Sequence, residues 1–544
     1  MNNKHKILVP LYLAIAACVG ICIGRVMVSK QSHTSENGST PTYTFSNNLP
    51  AGYEKLNSVL DIINSMYVED IDKAKMNEAV IPTILQQLDP HSVYIPAEDV
   101  EDVNSELEGS FSGIGVQFNI QNDTVMIIDV IAGGPSEKVG LLPGDRIIEV
   151  ADTNFTGSEI SNNKVIKSLR GPKGTTIAVG IKRLGYDQTL HYTITRGDIP
   201  VNSVDVWYPL TDKVGYIKVS RFGANTHSEF LTALTDLNRK GCSAYVIDLR
   251  NNSGGYLSSA INMINEFMTK GSLIVYTEGE RYQRESANAD GRGHFQNAPV
   301  CILINEWSAS ASEIFAGAMQ DQDRGWVIGR RSFGKGLVQQ QIDLADGSAI
   351  RLTVARYHTP SGRCIQKHYE QGKADEYEQD LNERFNHGEF FNADSITQID
   401  SLKYTTRIGR TVYGGGGITP DYFIAHDTSY YNDFYRALAN RSILYNFAFS
   451  YADKYRKQWS QLTYVQLIDK LRATNYWNEF LQAAAKENIV PTAEELAVSE
   501  HEVRKTLEAY ICRDILGDTA FYPVINEGDP TIEKALEVIF QKIR

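Results

Sequence analysis

The stretch "PVCILINEWSASASEIFAGAM", Pro299 to Met319, joins two apolar runs through three serines that alternate with alanine. The first run, Val300 to Ile304, is short and entirely apolar, which favours a buried strand. The second run, from Glu313, has the length and small apolar residues of a buried helix. A strand that leads directly into a helix is the building unit of an α/β fold, in which helices cover a sheet of parallel strands. We therefore predict an α/β core around this stretch.

The same alternation extends along the chain on both sides of this stretch. The runs "VGYIKVSRF" and "AYVIDLR" predict strands, and "SEFLTALTDLN" and "LSSAINMINEFM" predict helices. We assign residues 200–425 to this core, because alternating strands and helices imply parallel pairing. Residues 366–410 are polar and charged, and we interpret them as an insertion in the core.

The residues before the core have a different pattern of apolar residues, with the short alternation typical of β-strands. Between residues 109 and 199, five short β-type runs are separated by Gly, Pro, Asn and Asp, and "NKVIKSL" predicts one helix among them. This composition predicts a small, separate β domain. Residues 51–108 and 426–544 have helical spacing instead, so we predict helical regions at both ends.

The N-terminus differs from the rest of the chain. Residues 1–6 carry two lysines, which predicts a cytoplasmic N-terminus. Residues 7–24 carry no charge, and residues 25–50, which we interpret as a linker, include a polar stretch typical of a tether. An uncharged run of this length is just enough to span a bilayer. We favour an uncleaved signal anchor over a cleaved signal peptide and over a buried helix. The catalytic part is then expected in the cell envelope, on the periplasmic or extracellular side of the membrane.

Composition excludes some classes of function. The chain has 544 residues, of which 42% are hydrophobic and 22% charged, as is ordinary for a folded protein of several domains. A net charge of −13 without a basic domain argues against nucleic-acid binding. Its six cysteines form no C-x-x-C pair or His/Cys cluster, so we predict no metal site and no cofactor.

A serine between a strand and a helix can be a nucleophile or a helix cap. The N–H groups that follow it point along the helix dipole towards developing negative charge, as acyl transfer requires. Ser308 or Ser310 can equally cap the helix, with Glu313 completing a capping box behind Ser310. Gly254 and Gly255 follow the other strand end, where they permit close approach of the backbone or simply form a turn.

A serine nucleophile needs a base, and Lys335 in "RSFGKGLVQQ" is a candidate. Burial disfavours the ammonium, so a lysine between glycines and apolar residues can become a neutral amine, whereas a surface lysine is inert. The same segment matches most of a phosphate-binding loop, G-x-x-x-x-G-K. We reject nucleotide binding, because Gly336 stands where the magnesium-binding Ser/Thr belongs and a strand-like run follows.

Several motifs in order resemble the carboxyl-terminal processing, or tail-specific, peptidases: "LDPHSVYIP", "DLRNNSGG", "SASASEIFAGA", "FGKGLVQ", "ARYHTPSGRCIQ" and "GGITPD". The block from "GSFSGIGV" to "ITRGD" is similar to the PDZ domain of that family. The resemblance implies a multidomain α/β protein with a crotonase/Clp-like α/β protease core, an inserted PDZ-like β domain and helical N- and C-terminal regions. It also implies a serine endopeptidase with a Ser–Lys dyad.

The resemblance assigns the site residue by residue. Ser310 is the nucleophile, Lys335 the base, and Gln339 the residue that orients the lysine. The oxyanion donors are the N–H groups of Ala311 and of Gly255 or Gly254. Ser253 stands where relatives often have Pro or Gly, which leaves the choice between the two glycines open.

Two further expectations follow from these assignments. In a straight strand, the Cα atoms of Lys335 and Gln339 would stand about 13 Å apart, so we predict a helical or curled turn between them. By resemblance, the PDZ carboxylate-binding loop and the start of its strand are Ser112, Gly113, Ile114, Gly115 and Val116, and they bind substrates with free, apolar C-termini.

The predicted function is that of a membrane-tethered processing protease, which acts on protein or peptide substrates. The alternative is a catalytically silent PDZ scaffold that binds peptides. Intact Ser310, Lys335 and Gln339 argue against that alternative. The resemblance also implies a homo-oligomer formed through terminal segments.

Overall fold

A computed structural model describes residues 52–121, 123–131, 133–183 and 185–543. The chain divides into two units, Met1–Met76 and Asn77–Arg544. In the first unit the described elements are helix α1 (Glu54–Met66) and the start of helix α2 (Lys73–Gln86).

The predicted cytoplasmic N-terminus, anchor and linker lie outside the described residues. Within the described ranges, none of the helices combines the length and the apolar character that crossing a bilayer requires.

The core sheet of the second unit confirms the α/β prediction. Four neighbouring pairs in this sheet are parallel, and only the edge strand β10 is antiparallel. The strands lie in the order β10 (Val204–Pro209), β11 (Val214–Val219), β12 (Ala244–Asp248), β15 (Val300–Ile304), β16 (Trp326–Gly329) and β21 (Tyr422–Phe423).

Both faces of this sheet are covered. Alternate residues such as Ile247 lie in one cluster, with residues of helices α6 (Thr226–Arg239), α7 (Leu257–Asn265) and α8 (Ala311–Asp321). Residues such as Val246 lie in a second cluster, with helix α16 (Pro530–Ile543). Every residue of β12 and β15 is therefore buried, which explains why these strands are apolar throughout. The last helix of the predicted C-terminal region thus packs on the core sheet.

A second, antiparallel sheet was not predicted from the sequence. It contains β1 (Val93–Ile95), β13 (Leu273–Glu278), β14 (Glu285–Asn288), β17 (Leu337–Asp343) and β18 (Ala349–His358). The short strand β1 pairs with β18, so "LDPHSVYIP", placed by prediction in the helical N-terminal region, contributes a strand to the core. Strand β17 begins two residues after Lys335, the candidate base.

The predicted β domain forms its own antiparallel sheet around an apolar cluster. Strands β2 (Ser110–Gly113) and β9 (Gly197–Pro200) pair with each other where this domain begins and ends. Its other elements are β3 (Val116–Gln121), β4 (Thr124–Val130), α4 (Pro135–Val139), β5 (Arg146–Val150), β6 (Thr153–Asn154), α5 (Asn162–Leu169), β7 (Thr176–Lys182) and β8 (Leu190–Thr195), and helix α3 (Val100–Glu108) precedes the domain.

The insertion and the C-terminal region hold the remaining elements. The insertion contains helix α9 (Ala374–Asn386) and strand β19 (Lys403–Thr405), which pairs with β20 (Thr411–Tyr413). The C-terminal helices share an apolar cluster of their own, as their composition predicts. They are α10 (Asp433–Asn440), α11 (Ile443–Trp459), α12 (Tyr464–Arg472), α13 (Tyr476–Lys486), α14 (Ala493–Leu516) and α15 (Asp518–Ile525).

Candidate active site

Ser310 occupies the sharp turn between strand β15 and helix α8. Its backbone has φ 54° and ψ −114°, a region that non-glycine residues rarely adopt. The turn puts Ser310 immediately before the first residue of a helix whose residues are all buried. A serine held on a strained strand-to-helix turn is the arrangement that exposes the nucleophilic hydroxyl in α/β-hydrolases.

The two neighbouring serines, Ser308 and Ser312, donate hydrogen bonds to backbone carbonyls. The hydroxyl of Ser308 donates to the carbonyl of Leu249 at 2.8 Å, and that of Ser312 donates to the carbonyl of Asn252 at 2.9 Å. Both hydroxyls are fully buried. Each therefore ties the start of helix α8 to the loop after β12, while Ser310 is more exposed than either.

Asn252 organises the loop that faces Ser310, a role that was not predicted from the sequence. Its amide donates to the carbonyl of Val219 at 2.9 Å, and its Oδ1 accepts from the Gly254 N–H at 2.8 Å. The Asn252 carbonyl also accepts from the Ala309 N–H at 3.0 Å. A polar residue four positions after the end of a buried strand was the available signal, but Val219 and Ala309 are distant from it in sequence.

The glycine pair lies against the serine. A Cβ added to Gly254 would stand 2.7 Å from the Ser310 Cβ and 3.0 Å from the Ala311 nitrogen. The neighbouring Gly255 forms a bridge with Phe222, so its own N–H points away from that partner. Only glycine fits at either position, because both have positive φ and no space for a side chain.

The structure separates the two glycines as candidate donors. Because the Gly254 N–H already donates to Asn252, it is the less suitable oxyanion donor. In the hydrogen bonds of the described residues, the N–H groups of Gly255 and Ala311 have no acceptor. These two donors flank Ser310, as an oxyanion hole requires.

Lys335 lies on the loop before β17, where a helical or curled turn was predicted. Residues from Leu337 onwards form a strand paired with β18, so the helical form of that prediction is wrong. The register shifts between Val338 and Gln339 because β18 has one extra residue, Val354, at this point. The Nζ of Lys335 donates to Gln339 Oε1 at 3.0 Å, so the lysine and the glutamine meet across the start of a strand.

Glu313 joins the serine turn to the lysine loop. Its carboxylate is fully buried and accepts from the N–H groups of Ser310 (2.8 Å) and Lys335 (2.9 Å). The hydroxyl of Ser332 (2.5 Å) and the N–H of Gly334 (2.7 Å) donate to its other oxygen. Burial raises the pKa of Glu313 to about 7, although the four donors act in the opposite direction. The sequence showed Glu313 only as part of a capping box.

Burial also affects Lys335, the candidate base. Burial lowers the pKa of its amine below the ordinary value of 10.5, although the Glu313 carboxylate acts in the opposite direction. Nearby Arg351 acts in the same direction as burial. A lysine with a lowered pKa is more readily neutral and can then accept a proton.

In the described residues, no hydrogen bond connects the Lys335 amine to the Ser310 hydroxyl. Both side chains nevertheless line one cavity of about 1130 Å³, together with Gly254, Gly255 and Gln339. Catalytic hydrogen bonds in structures without substrate are often long and shorten only when substrate binds. The direct serine–lysine contact therefore stays a prediction.

The same cavity reaches the β domain. Its wall includes one side of helix α5, with Asn163, Ile166 and Lys167, and Arg170, which follows the helix. An extended peptide in the cavity can therefore contact both the serine turn and the β domain.

The residues of the predicted carboxylate-binding loop, Ser112 to Val116, lie in two strands and the loop between them. Ser112 and Gly113 belong to strand β2, while Val116 begins β3. The carbonyls of Ile114 and Gly115 accept from backbone N–H groups at 3.0 Å. Their own N–H groups have no acceptor within the described ranges, which suits a loop that binds a carboxylate.

The segment Gly329–Gly336 does not form a phosphate cradle. Strand β17, not a helix, follows Lys335, so the site lacks the helix N-terminus that favours phosphate. The lysine amine bonds to Gln339 instead. This agrees with the rejection of nucleotide binding.

Family models match four parts of the chain. Peptidase family S41 matches residues 213–377, which include Ser310 and Lys335, and the PDZ domain matches residues 112–194. The N-terminal domain of the activating protease CtpB matches residues 14–99. A family of unknown function matches residues 434–517, in the C-terminal helices.

Curated relatives extend these matches. The carboxy-terminal-processing protease of Bartonella bacilliformis is 38% identical over 57% of this chain and 72% of its own length. The carboxy-terminal processing protease CtpB of Bacillus subtilis is 34% identical over 58% of this chain and 65% of its own length. A solved structure of a photosystem II D1 C-terminal processing protease is 28% identical over 57% of this chain and 83% of that chain, with a TM-score of 0.35.

The α/β core and the matches to the two family models define a serine peptidase with a PDZ domain. The chain belongs to peptidase family S41, the carboxy-terminal processing proteases. This confirms the resemblance drawn from the sequence motifs and the predicted fold class.

Proposed function

We propose that this protein is a membrane-tethered endopeptidase that uses Ser310 and Lys335 as a catalytic dyad and selects substrates by their C-terminal tails. One observation carries the proposal. A strained serine at a helix start, a half-buried lysine and Gly255 line one cavity, and in the described residues the N–H groups of Gly255 and of Ala311, next to the serine, have no acceptor. That set supplies a nucleophile, a base and an oxyanion hole.

The chemistry requires the lysine to be neutral at the start. Its lone pair takes the Ser310 proton as the serine oxygen attacks the peptide carbonyl. The N–H groups of Gly255 and Ala311 then stabilise the negative oxygen of the tetrahedral intermediate. The Lys335 ammonium returns the proton to the leaving amine, and water hydrolyses the acyl-enzyme by the same route.

The PDZ domain supplies substrate choice in this proposal. The N–H groups of Ile114 and Gly115, which have no acceptor among the described residues, support binding of a terminal carboxylate. Strand β3 is an edge strand to which a peptide can add. The substrate residues that precede the bound tail then extend along helix α5 into the cavity. Substrates are therefore proteins with free, apolar C-termini.

A pair of matched substrates tests this selection. We expect kcat/KM for an unfolded protein with three apolar C-terminal residues to fall about tenfold when its terminal carboxylate is amidated, because charge-assisted hydrogen bonds are lost. Initial rates from gel densitometry measure the effect. The Ser310→Ala variant serves as the control for contaminating proteases.

Two results would contradict the proposal in different ways. Equal rates for the free and amidated tails would remove the PDZ domain from substrate choice. Tight binding of the free tail by the wild type without any cleavage would favour the silent scaffold instead.

The uncharged run at residues 7–24 supports a membrane anchor, with the catalytic part in the cell envelope. We expect the full chain to sediment with membranes and a chain lacking residues 1–30 to remain in the soluble fraction after ultracentrifugation. Recovery of the full chain in the soluble fraction would refute the anchor.

The proposal also includes self-association through the terminal segments, as the resemblance implies.

A further inference from the structure

The inserted segment contacts the back of the lysine loop. The Lys367 N–H donates to the Gly334 carbonyl at 2.9 Å, and the Gly336 N–H donates to Gln366 Oε1 at 2.8 Å. The buried guanidinium of Arg384, on helix α9, donates to the carbonyls of Ser332 (3.0 Å) and Arg331 (2.7 Å). The start of the insertion therefore fixes the backbone that carries Lys335.

Tyr377 on helix α9 extends this contact to a second element of the site. Its side chain is buried, and its hydroxyl lies 2.9 Å from Nε2 of His91. The two rings meet edge to face at 5.1 Å. His91 belongs to the loop before β1, so Tyr377 joins the insertion to the segment "LDPHS".

Hydrogen bonds connect the Gly336 N–H to Gln366, Gln366 to Tyr377, and Tyr377 to His91. The direction of the first bond determines the directions of the other two. Because Gln366 Oε1 accepts from the Gly336 N–H, its amide nitrogen is the group that faces Tyr377, at 3.4 Å. The tyrosine oxygen thus accepts from Gln366, and its O–H donates to His91 Nε2. Burial lowers the pKa of His91 to about 4, which agrees with a neutral ring that accepts this bond.

His91 in turn sets the orientation of Gln339. The His91 backbone carbonyl accepts a hydrogen bond from the Gln339 amide nitrogen. The loop itself is held by Asp89, whose carboxylate accepts from the His91 N–H at 2.8 Å and from the Ser92 hydroxyl at 2.6 Å. With its nitrogen committed to a carbonyl, Gln339 can present only Oε1 to Lys335, at 3.0 Å.

This orientation matters for a neutral amine. Such an amine has two N–H donors and one lone pair, so donation to Gln339 Oε1 leaves the lone pair for the serine proton. The reversed amide would place an N–H donor against the amine and occupy the lone pair. The identity of the group that faces Lys335 therefore decides whether the amine is a competent base.

We propose that Tyr377 is a positioning residue for the catalytic lysine, acting through His91 and Gln339. The inference rests on the proposed role of Lys335 as base and adds a partner that lies in the insertion. It makes the inserted segment part of the catalytic apparatus, although neither Tyr377 nor His91 lies in the wall of the cavity.

The Tyr377→Phe variant removes one hydroxyl and keeps the ring. We expect kcat to fall about tenfold at unchanged KM, a loss that corresponds to about 1.4 kcal/mol, because the base is misoriented while the substrate contacts remain. Tyr369→Phe is the matched control, since Tyr369 packs edge to face against Tyr377 at 6.4 Å and makes no hydrogen bond to His91 or Gln366. Equal kcat values for Tyr377→Phe and wild type would overturn the proposal.

A double variant separates positioning from simple loss of packing. His91→Phe also removes the bond to Tyr377, so His91→Phe combined with Tyr377→Phe should lose no more activity than either single variant. Independent packing defects would multiply instead, and that result would contradict the proposal. Thermal melting of each variant verifies that the fold is intact.

A readout that needs no proteolysis keeps this inference distinct from the proposed function. Competitive acetylation with acetic anhydride across pH, read by mass spectrometry, reports the titration of the Lys335 amine. We expect its midpoint to rise towards the ordinary lysine value in Tyr377→Phe, because a released Gln339 admits water, and to stay unchanged in Tyr369→Phe. Absence of cleavage by wild type would refute the proposed function alone, while an unchanged midpoint in Tyr377→Phe would refute the positioning role.

Discussion

Replacing Lys335 by arginine will reduce kcat/KM by about a thousandfold or more, and Ser310→Ala will do the same. A guanidinium stays charged at every accessible pH, so it has no lone pair with which to accept the serine proton. Lys335→Arg keeps the positive charge and a donor to Gln339, and it therefore tests proton transfer rather than charge. Initial rates on the tail-bearing substrate measure the loss, and thermal melting verifies the fold.

Lys373→Arg is the control for the substitution itself, because Lys373 lies on the exposed start of the insertion and pairs with Glu370 and Glu376. The activity of Lys373→Arg should equal that of wild type.

The pH profile of the wild type tests the same role of Lys335 without a substitution. Because burial lowers the pKa of Lys335, activity should fall as pH drops through a midpoint below 10.5, where the ammonium form appears. Near-normal activity of Lys335→Arg would show that a cation suffices and would eliminate the lysine as base.

The sequence predicted those parts of the fold that depend on local patterns. Strands β12 and β15 are recognisable because both faces are buried, which makes each run apolar throughout. The turn at Ser310 and the loop at Lys335 carry motifs short enough to be read directly. Their identification required no knowledge of which elements touch.

Long-range contacts were not predictable in the same way. Strand β1 has only three residues and gains its place by pairing with β18, more than 250 positions later. The path of the backbone after Lys335 depends on that second sheet, so a helical or curled turn was predicted where a strand begins two residues after the lysine. Asn252 and His91 act through partners that only the folded chain brings together.

Gly255→Ala will reduce kcat by about a hundredfold or more, because it displaces an oxyanion donor. The residue has φ +141°, and an added Cβ would stand 2.2 Å from the Phe222 carbonyl oxygen. That collision involves backbone on both sides, so the loop must move and carry the Gly255 N–H away from Ser310. The donor bonds most strongly to the oxyanion of the transition state, so KM should change much less than kcat.

Gly271→Ala supplies the matched control. Gly271 also has positive φ, +82°, but an added Cβ would meet no atom within 4 Å. The variant therefore carries the conformational penalty of alanine without the collision, and it should keep wild-type kcat. Gly254→Ala is a poorer test, because its Cβ would press on Ser310 itself at 2.7 Å. Wild-type kcat in Gly255→Ala, with an unchanged melting temperature, would mean that the oxyanion is bound elsewhere and that Ala311 has a different companion.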